Sequence, residues 1–144
     1  MEPIFDSPSP WVADHIRTYV DSGGTKGNRL FDNDILLITT RGRKTGMLRR
    51  TPLMYGRDRD DYVVVGSYRG LPQHPCWYLN LATHPEVTLQ IGAEIFAAKA
   101  RTVTTDEKPP LWQMMISRFP AFESYQRQTT RQFPVVRLER TAAG

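Results

Sequence analysis

The sequence predicts a mainly β, α+β fold, an antiparallel barrel of about six strands with helices packed against it. The strand-like segments follow one another through short turns, and the helical segments fall between hairpins. A Rossmann-type fold would instead alternate single strands with helices. The 144 residues suit one domain, 1–144, and the 40% of hydrophobic residues suffice for a sizeable core. Intrinsic disorder is therefore not expected.

The N-terminal region is expected to contain one helix. Residues 1–8 include Pro and Ser and are expected to be flexible. Ser9 followed by Pro10 is typical of an N-cap and a first helical position. Apolar side chains then recur at helical spacing before Gly23, which predicts an amphipathic helix over 9–22. The sequence leaves open whether this helix packs on the barrel, covers a pocket or lies on a membrane.

The middle of the chain is rich in β-forming residues. Three segments joined by short turns predict an antiparallel meander: 34–40, 48–55 and 61–67. The first contains the unbroken apolar run Ile35 to Ile38. Such a run indicates a strand buried on both faces or a closed barrel.

The second half of the chain mixes helices and strands. A helix at 75–83 precedes a hairpin of strands 86–91 and 94–104, then helices from 105 to about 118 and from 121 to about 130, and a last strand at 134–138.

Positive charge is concentrated in one turn. Lys and Arg number 19 and Asp and Glu 15, so the net charge is +4. Residues 41–50 carry five positive charges and no negative one, and without them the chain would be at −1. Gly42, Thr45 and Gly46 let backbone N–H groups approach a ligand, and Arg43, Lys44 and Arg49 add cationic donors. The turn therefore suits a phosphate or polycarboxylate, although a solvated hairpin tip is the alternative because Arg outnumbers Lys 15 to 4.

Several function classes lack their sequence patterns. There is no nucleophile elbow, phosphate-binding loop or dinucleotide fingerprint. The three histidines lack metal-ligand spacing, so no metal site is expected. No nucleic-acid partner is expected either, because the aromatic residues are not interleaved with the basic ones.

Membrane-spanning and disulfide-stabilised proteins are also disfavoured. No apolar run exceeds four residues, which is too short for a spanning helix. Cys76 is the single cysteine, so no internal disulfide can form and a reducing cytoplasm is the expected location.

Two aromatic segments are candidates for lining a flat apolar pocket. Residues 74–81 place Trp77 and Tyr78 close to an amide, and residues 119–125 place rings at i, i+3 and i+6 around Pro120. Core packing is the more usual role of such segments.

Taken together and in order, these segments resemble the deazaflavin-dependent nitroreductase and quinone-reductase family, the A-type branch of the split β-barrel oxidoreductases that use coenzyme F-420. The resemblance extends from about residue 30 to the end of the chain. The matching pieces are 39–46 with Arg49, 51–53, 63–67, 74–81, 84–87, 100–101, 111–112, 119–125 and 130–135.

The resemblance implies a split barrel of the FMN-binding type and an enzyme that transfers a hydride from reduced coenzyme F-420 to a flat electrophile. This cofactor carries a phosphodiester and a polyglutamate tail, which implies a cationic cradle. The cofactor-binding residues that the resemblance implies are Arg43, Lys44, Thr45, Arg49, Gly66, Ser67, Tyr68, Cys76, Trp77, Tyr78 and Asn80.

The chain departs from the family's pattern at the substrate end. Members active on nitroimidazoles have tyrosines where this chain has Met54, Phe119 and Phe122, and only Tyr125 keeps the hydroxyl. With Tyr125, these residues imply an apolar substrate pocket, which favours quinones, conjugated enones and lactones of coumarin or aflatoxin type over nitroaromatics. Ser67 and Tyr125 are the candidate catalytic residues, with proton-donating or orienting roles.

A second departure lies beside the cradle. Tyr68 and Arg69 replace the family's usual lysine and glycine-like pair, which shifts an anion contact to Arg69.

Three alternatives remain beside this prediction: an FMN-dependent split-barrel reductase or oxidase, a non-catalytic deazaflavin-binding protein, and a small nucleic-acid-binding barrel. FMN has one phosphate and no polyanionic tail, so five clustered positive charges exceed its need. Peripheral contact with the inner face of the cell membrane through the N-terminal helix stays open, as does the oligomeric state.

Overall fold

The computed structural model of the protein describes residues 2–30 and 32–141. Within these residues the chain forms nine strands and four α-helices. In chain order they are β1 (Ile4–Asp6), α1 (Pro10–Asp21), β2 (Arg29–Leu30), β3 (Asn33–Arg41), β4 (Leu48–Met54), β5 (Gly56–Asp58), β6 (Asp61–Val65), α2 (Cys76–Thr83), β7 (Glu86–Ile91), β8 (Glu94–Thr102), α3 (Lys108–Arg118), α4 (Ala121–Arg127) and β9 (Val135–Arg140).

The strands form one sheet in the order β1-β4-β3-β7-β8-β9-β6-β5, with β2 paired to β3. The β1–β4 pair is parallel and every other described pair is antiparallel. The sheet is not closed, because β1 and β5 stand at opposite ends of this order. The α+β fold class with a split-barrel-like sheet is confirmed, and its six longer strands are the six that the sequence predicts.

The predicted three-strand meander is wrong. β4 pairs with β3 as expected, but β6 pairs with β9 and β5 instead of continuing beside β4. Residues 56–58, expected to be a turn, form β5. The side chains of β6 are buried on both faces, Val64 in the central core and Val63 against α3 and α4, so this strand lies between two partners inside the fold.

The N-terminal residues also differ from expectation. Ile4–Asp6 lie within the stretch expected to be flexible, but they pair with residues 48–50 of β4. This short strand places the start of the chain beside the basic turn.

Strand β3 contributes buried side chains to two core clusters, one on each of its faces. Leu36 and Ile38 point into the central core cluster, whereas Ile35 and Leu37 point to the opposite face and pack under α1. All four are almost fully buried, which confirms the predicted burial on both faces.

Helix α1 packs on the sheet through its buried face. Ile16 and Tyr19 are fully buried, and the Tyr19 hydroxyl lies 3.0 Å from the Ile35 carbonyl oxygen and accepts a hydrogen bond from Gly92 N–H at 2.9 Å. Behind the helix, Gly24 has φ +78°, and a Cβ there would overlap the backbone of Gly92. None of the described helices has the length and apolar character to cross a bilayer.

Candidate functional site

A cavity of about 900 Å³ opens beside the basic turn. Four parts of the chain meet around it: the N-terminal segment (residues 2–12), the β3–β4 turn with β4, the loop after β6, and helix α2. Its lining residues are Phe5, Asp6, Ser7, Pro8, Val12, Thr40, Gly42, Arg43, Lys44, Thr45, Arg49, Arg50, Thr51, Pro52, Leu53, Val65, Ser67, Tyr68, Arg69, Pro75, Cys76, Trp77 and Asn80.

The β3–β4 turn is a compact, hydrogen-bonded loop. Gly42 N–H donates to the Met47 carbonyl oxygen at 2.7 Å, and Gly46 N–H donates to the Gly42 carbonyl oxygen at 2.8 Å. A Cβ on Gly42 would lie 2.9 Å from Thr45 Oγ1 and 3.1 Å from the Met47 carbonyl oxygen, so the turn is closely packed at this position. Within the described chain the backbone N–H groups of Lys44 and Thr45 have no hydrogen-bond acceptor, and they are available to an anion.

Two of the five basic residues in 41–50 form ion pairs with carboxylates of the described chain, and three do not. Arg41 makes a bidentate ion pair with Glu2, at 2.7 and 3.0 Å, and Arg50 makes one with Asp6, at 2.8 and 3.1 Å. Two of the five clustered charges are thus already balanced by carboxylates of the N-terminal residues.

Four cations on the cavity remain without a carboxylate partner among the described residues. Arg43, Lys44 and Arg49 come from the turn and β4, and Arg69 comes from the loop after β6. This concentration of unpaired positive charge is the main electrostatic feature of the cavity.

Asn80 ties the basic turn to helix α2. Its side chain is 4% exposed. The Oδ1 atom accepts hydrogen bonds from Arg43 N–H at 3.1 Å and from Arg43 Nη1 at 3.3 Å, while Nδ2 donates to Thr40 Oγ1 at 3.2 Å. Asn80 thus positions Arg43 from behind.

The loop after β6 forms another wall, and Arg131 holds it in place. The guanidinium donates to the carbonyl oxygens of Gly66 at 2.9 Å, Ser67 at 2.7 Å and Leu71 at 3.0 Å. Tyr68 and Arg69 in this loop have left-handed backbones, with φ 43° and 54°. Such conformations persist only where the surroundings hold them, and the Arg131 hydrogen bonds do this.

His74 contacts the same guanidinium. Arg131 Nη1 lies 3.1 Å from His74 Nδ1, and because arginine can only donate, Nδ1 is the unprotonated ring nitrogen. Burial and the Arg131 charge together lower the pKa of His74 below its ordinary value. The imidazole is therefore held neutral, with its ring 5.0 Å from that of Tyr78.

The cavity brings together nine of the eleven cofactor-binding residues predicted from the sequence: Arg43, Lys44, Thr45, Arg49, Ser67, Tyr68, Cys76, Trp77 and Asn80. Gly66 and Tyr78 lie off it. Gly66 is packed so closely on Pro134 that a Cβ would lie 2.8 Å from that ring, and the Tyr78 hydroxyl lies 3.0 Å from Thr102 Oγ1 on β8.

The four residues predicted to form the substrate pocket do not line this cavity. Met54 packs against the cluster under α1, and Phe119, Phe122 and Tyr125 pack with α3 in the second core cluster. Phe122 is 6% exposed, and its ring lies 5.0 Å from that of Phe119. The aromatic stripe is core because α3 and α4 must cover the outer face of β6 and β9. Of the two candidate catalytic residues, only Ser67 reaches the cavity.

Two contributions to the cavity were missed from the sequence. Arg131 lies in residues 130–135, one of the stretches that match the family. Its hydrogen-bond acceptors are backbone carbonyl oxygens, and a sequence pattern cannot predict these partners. The N-terminal segment contributes Phe5, Pro8 and Val12, and its strand is only three residues long.

Comparison with known proteins shows the family of this chain. The family model described as F-420H(2)-dependent quinone reductase matches residues 11–140. The chain belongs to this family. The predicted family is thereby confirmed.

Individual relatives support the assignment. An F-420H(2)-dependent quinone reductase of Mycobacterium tuberculosis is 35% identical over 130 residues, which is 88% of this chain and 87% of that protein. A solved structure described as an F-420-H2 dependent reductase (FDR-A) has a TM-score of 0.67 and 35% identity, covering 73% of this chain and 93% of that one. A solved chain described as a domain-swapped dimer has a TM-score of 0.70 and 34% identity, covering 92% of this chain and 100% of that one.

Proposed function

We propose that this protein is an oxidoreductase that binds reduced coenzyme F-420 in the cavity and reduces a quinone. The observation that carries the proposal is the cavity itself, which joins four unpaired cations to an apolar, ring-lined wall in a member of this family. A flat redox cofactor with an anionic tail needs both kinds of surface.

The basic end fits the phosphodiester and the tail. Arg43, Lys44 and Arg49 supply charge, and the backbone N–H groups of Lys44 and Thr45 supply directed donors. Arg69 stands on the neighbouring wall and extends the cationic surface. FMN, with a single phosphate, would leave most of these donors without a partner.

The ring end fits a flat heterocycle. Cys76 and Trp77 form one side at the start of α2, and Ser67 and Tyr68 form another. When bound, the reduced cofactor supplies a hydride to the acceptor. These residues orient the two reactants face to face and keep water away from the transfer.

The quinone takes up the hydride and one proton and becomes a hydroquinone, so two electrons and two protons are accounted for. Ser67 is the hydroxyl of the predicted catalytic pair that lies on the cavity, and we assign it an orienting role toward an acceptor oxygen. Tyr125 lies off the cavity, so solvent is the proton source in this proposal. Enones and lactones present the same kind of flat electrophile and remain predictions.

Membrane contact is proposed only for the first turn of α1. The apolar face of the helix is buried against β3, but Trp11 is 64% exposed. A tryptophan in such a position suits the lipid interface where quinones reside. Flotation of the full chain with anionic vesicles, with Trp11→Ala beside it, tests this contact.

An oligomer is also proposed, because the similar solved chain is described as a domain-swapped dimer. Light scattering over a concentration series gives the molar mass that decides between monomer and dimer.

The decisive experiment is a titration of the purified protein with coenzyme F-420 and with FMN, followed by oxidation of the reduced deazaflavin with a quinone. Tight F-420 binding and quinone-dependent oxidation are expected, with weak FMN binding. Binding without turnover on any quinone or enone would make the protein a non-catalytic deazaflavin binder. Absence of F-420 binding would overturn the proposal.

A further inference from the structure

The N-terminal segment, residues 2–12, forms one wall of the cavity, and its lining residues are Phe5, Asp6, Ser7, Pro8 and Val12. We propose that it is the acceptor-binding wall, and that Phe5 and Val12 make the contacts that select a planar apolar acceptor. This inference rests on the proposed function and states where the quinone acceptor binds. The proposal assigns to this segment the role that the sequence analysis gave to Met54, Phe119, Phe122 and Tyr125.

The segment is fixed to the edge of the sheet. Residues 4–6 pair in parallel with residues 48–50 of β4. The Asp6 carboxylate accepts hydrogen bonds from Arg50 Nε and Nη2 at 2.8 and 3.1 Å, with only 28% of the Asp6 side chain and 20% of the Arg50 side chain exposed. Because the pair is bidentate, it fixes the register of the segment as well as its attachment.

Phe5 is held at the wall with much of its ring uncovered. It is 37% exposed, and the Arg49 guanidinium lies 5.7 Å from its ring centroid. Both residues line the cavity, with Pro8 and Val12 continuing the apolar surface. An apolar ring kept in water is unfavourable, and an acceptor lying against it would remove that exposed area.

The charge of the segment separates acceptor from cofactor. Its acidic residues, Glu2 and Asp6, form ion pairs with Arg41 and Arg50. The segment contains no Lys or Arg. Three of the four unpaired cations, Arg43, Lys44 and Arg69, belong to the other walls, and the fourth, Arg49, lies against the Phe5 ring. Most of the charge that attracts an anionic tail therefore stands outside the segment, whose own apolar side chains suit a neutral ring.

The aromatic residues that the sequence analysis assigned to the acceptor pack against one another instead of lining the cavity. Phe122 is buried in the α3–α4 core, and the ring of Phe119 packs against it in the T-shaped arrangement. On the cavity, Leu53 and Trp77 face the same space as Phe5. A quinone held near the cofactor ring therefore has the N-terminal segment as its neighbour.

The test uses the full chain with Phe5→Ala and Val12→Ala. Ile4→Ala is the matched control, because Ile4 is a comparably exposed apolar residue in the same strand that does not line the cavity. The acceptor is duroquinone, whose fully substituted ring cannot add a thiol. Steady-state kinetics with reduced F-420 give KM and kcat, and fluorescence titration gives the F-420 Kd.

A readout without turnover comes from Cys76, the single cysteine, which is exposed and lines the cavity. Its modification by N-ethylmaleimide, a neutral reagent that the cationic turn does not attract, is followed by mass spectrometry in the protein without cofactor. Duroquinone bound at the wall should slow this modification.

Phe5→Ala is expected to raise the duroquinone KM about five- to thirtyfold, the range for losing one large apolar contact, while the F-420 Kd stays within twofold. Val12→Ala should give a smaller rise in the same direction. Protection of Cys76 should require correspondingly more duroquinone in both variants, and Ile4→Ala should match the wild type in every measurement. Phe5→Leu, which keeps apolar volume, should restore most of the affinity and covers the case that Phe5→Ala does not fold.

Unchanged KM and unchanged Cys76 protection in Phe5→Ala and Val12→Ala, with F-420 binding intact, would overturn the acceptor wall and leave the proposed function standing. An equal loss in Ile4→Ala would also overturn it, because the effect would then come from the strand as a whole. Failure of the wild type to bind F-420 would instead count against the proposed function, and the difference in Cys76 protection by duroquinone between wild type and Phe5→Ala would still decide the wall.

Discussion

Arg131 donates a hydrogen bond from Nη2 to the backbone carbonyl oxygen of Ser67 at 2.7 Å, across 64 positions of the chain. Its other nitrogens reach Gly66 and Leu71, so one guanidinium fixes both ends of the loop that places Ser67 and Tyr68 on the cavity. Its Cζ atom lies over the Phe133 ring, 4.7 Å from the ring centroid. We regard Arg131 as a positioning residue for the cofactor site.

Arg131→Lys should weaken F-420 binding about tenfold while the protein remains folded. An ammonium group keeps the charge but cannot reach three carbonyl oxygens in one plane, so the left-handed turn at Tyr68 and Arg69 loses its support. The measurements are the F-420 Kd and the thermal midpoint. Arg127→Lys, at an exposed ion pair with Glu123, is the matched control and should leave both unchanged. A Kd that does not move in Arg131→Lys would remove the positioning role.

The pKa of His74 should rise in Arg131→Gln. Burial lowers this pKa first and the Arg131 charge lowers it further, so removing the charge takes away the second contribution and leaves the first. A partial return toward 6.5 is therefore expected, to be followed by NMR titration of the imidazole protons. An unshifted His74 would show that its neutral state depends on burial alone.

The double variant Arg43→Ala/Lys44→Ala should weaken F-420 binding about 10- to 100-fold, because a hydrogen bond to a charged group contributes about 1.5–3 kcal/mol. Its thermal midpoint should change little, since neither side chain pairs with a carboxylate among the described residues. Arg17→Ala/Lys26→Ala removes the same charge from positions off the cavity and separates local contacts from net charge. Equal losses of binding in the two double variants would refute a local anion site.

The basic turn was predictable because everything that makes it is local. Gly42, Thr45 and Gly46 close a hairpin within ten residues of chain, and the charges of Arg43 and Lys44 stand on it whatever the rest of the fold does. The nine predicted residues on the cavity came from the family resemblance, and they lie in the β3–β4 turn, at the start of β4, after β6 and in α2. Such positions are fixed once the strand and helix boundaries are known.

Other parts of the site depend on contacts between distant residues. β1 is three residues long, and its pairing with β4 joins residues 44 positions apart, at Ile4 and Leu48. No periodicity signals such a strand. The stripe of Phe119 and Phe122 has the spacing of both a pocket wall and a core face, and only the position of β6 beneath it decides for the core.

Asn80→Ala should lower the free energy of unfolding by about 1–3 kcal/mol and weaken F-420 binding as well. The substitution leaves the Arg43 N–H and the Thr40 hydroxyl without their buried partner, and an unsatisfied buried donor carries that cost. Denaturant unfolding and F-420 titration measure the two effects. Thr40→Val removes only the hydrogen bond from Asn80 Nδ2 to Thr40 Oγ1, so it should affect stability more than F-420 binding. Loss of stability in Asn80→Ala without loss of affinity would limit Asn80 to a structural role.

Glu107 should stabilise the protein above about pH 4.5 and lose this effect as the pH falls. Its carboxylate accepts a hydrogen bond from Thr104 N–H at 3.0 Å, while Thr104 Oγ1 accepts one from Glu107 N–H at 3.3 Å, which is a capping box before α3. Hydrogen bonds from Arg101, followed by those from Thr104, lower the pKa of Glu107 to about 2. Because the folded pKa lies below the unfolded value of 4.5, the stabilisation is complete above 4.5 and disappears as the pH approaches 2. Urea midpoints of Glu107→Gln and wild type should therefore differ at pH 6 and draw together as the pH falls from 4.5 toward 2. Glu86→Gln, at an exposed carboxylate that no described ion pair engages, is the control. A difference between Glu107→Gln and wild type that stays constant with pH would show that the capping geometry, and not the charge of Glu107, carries the effect.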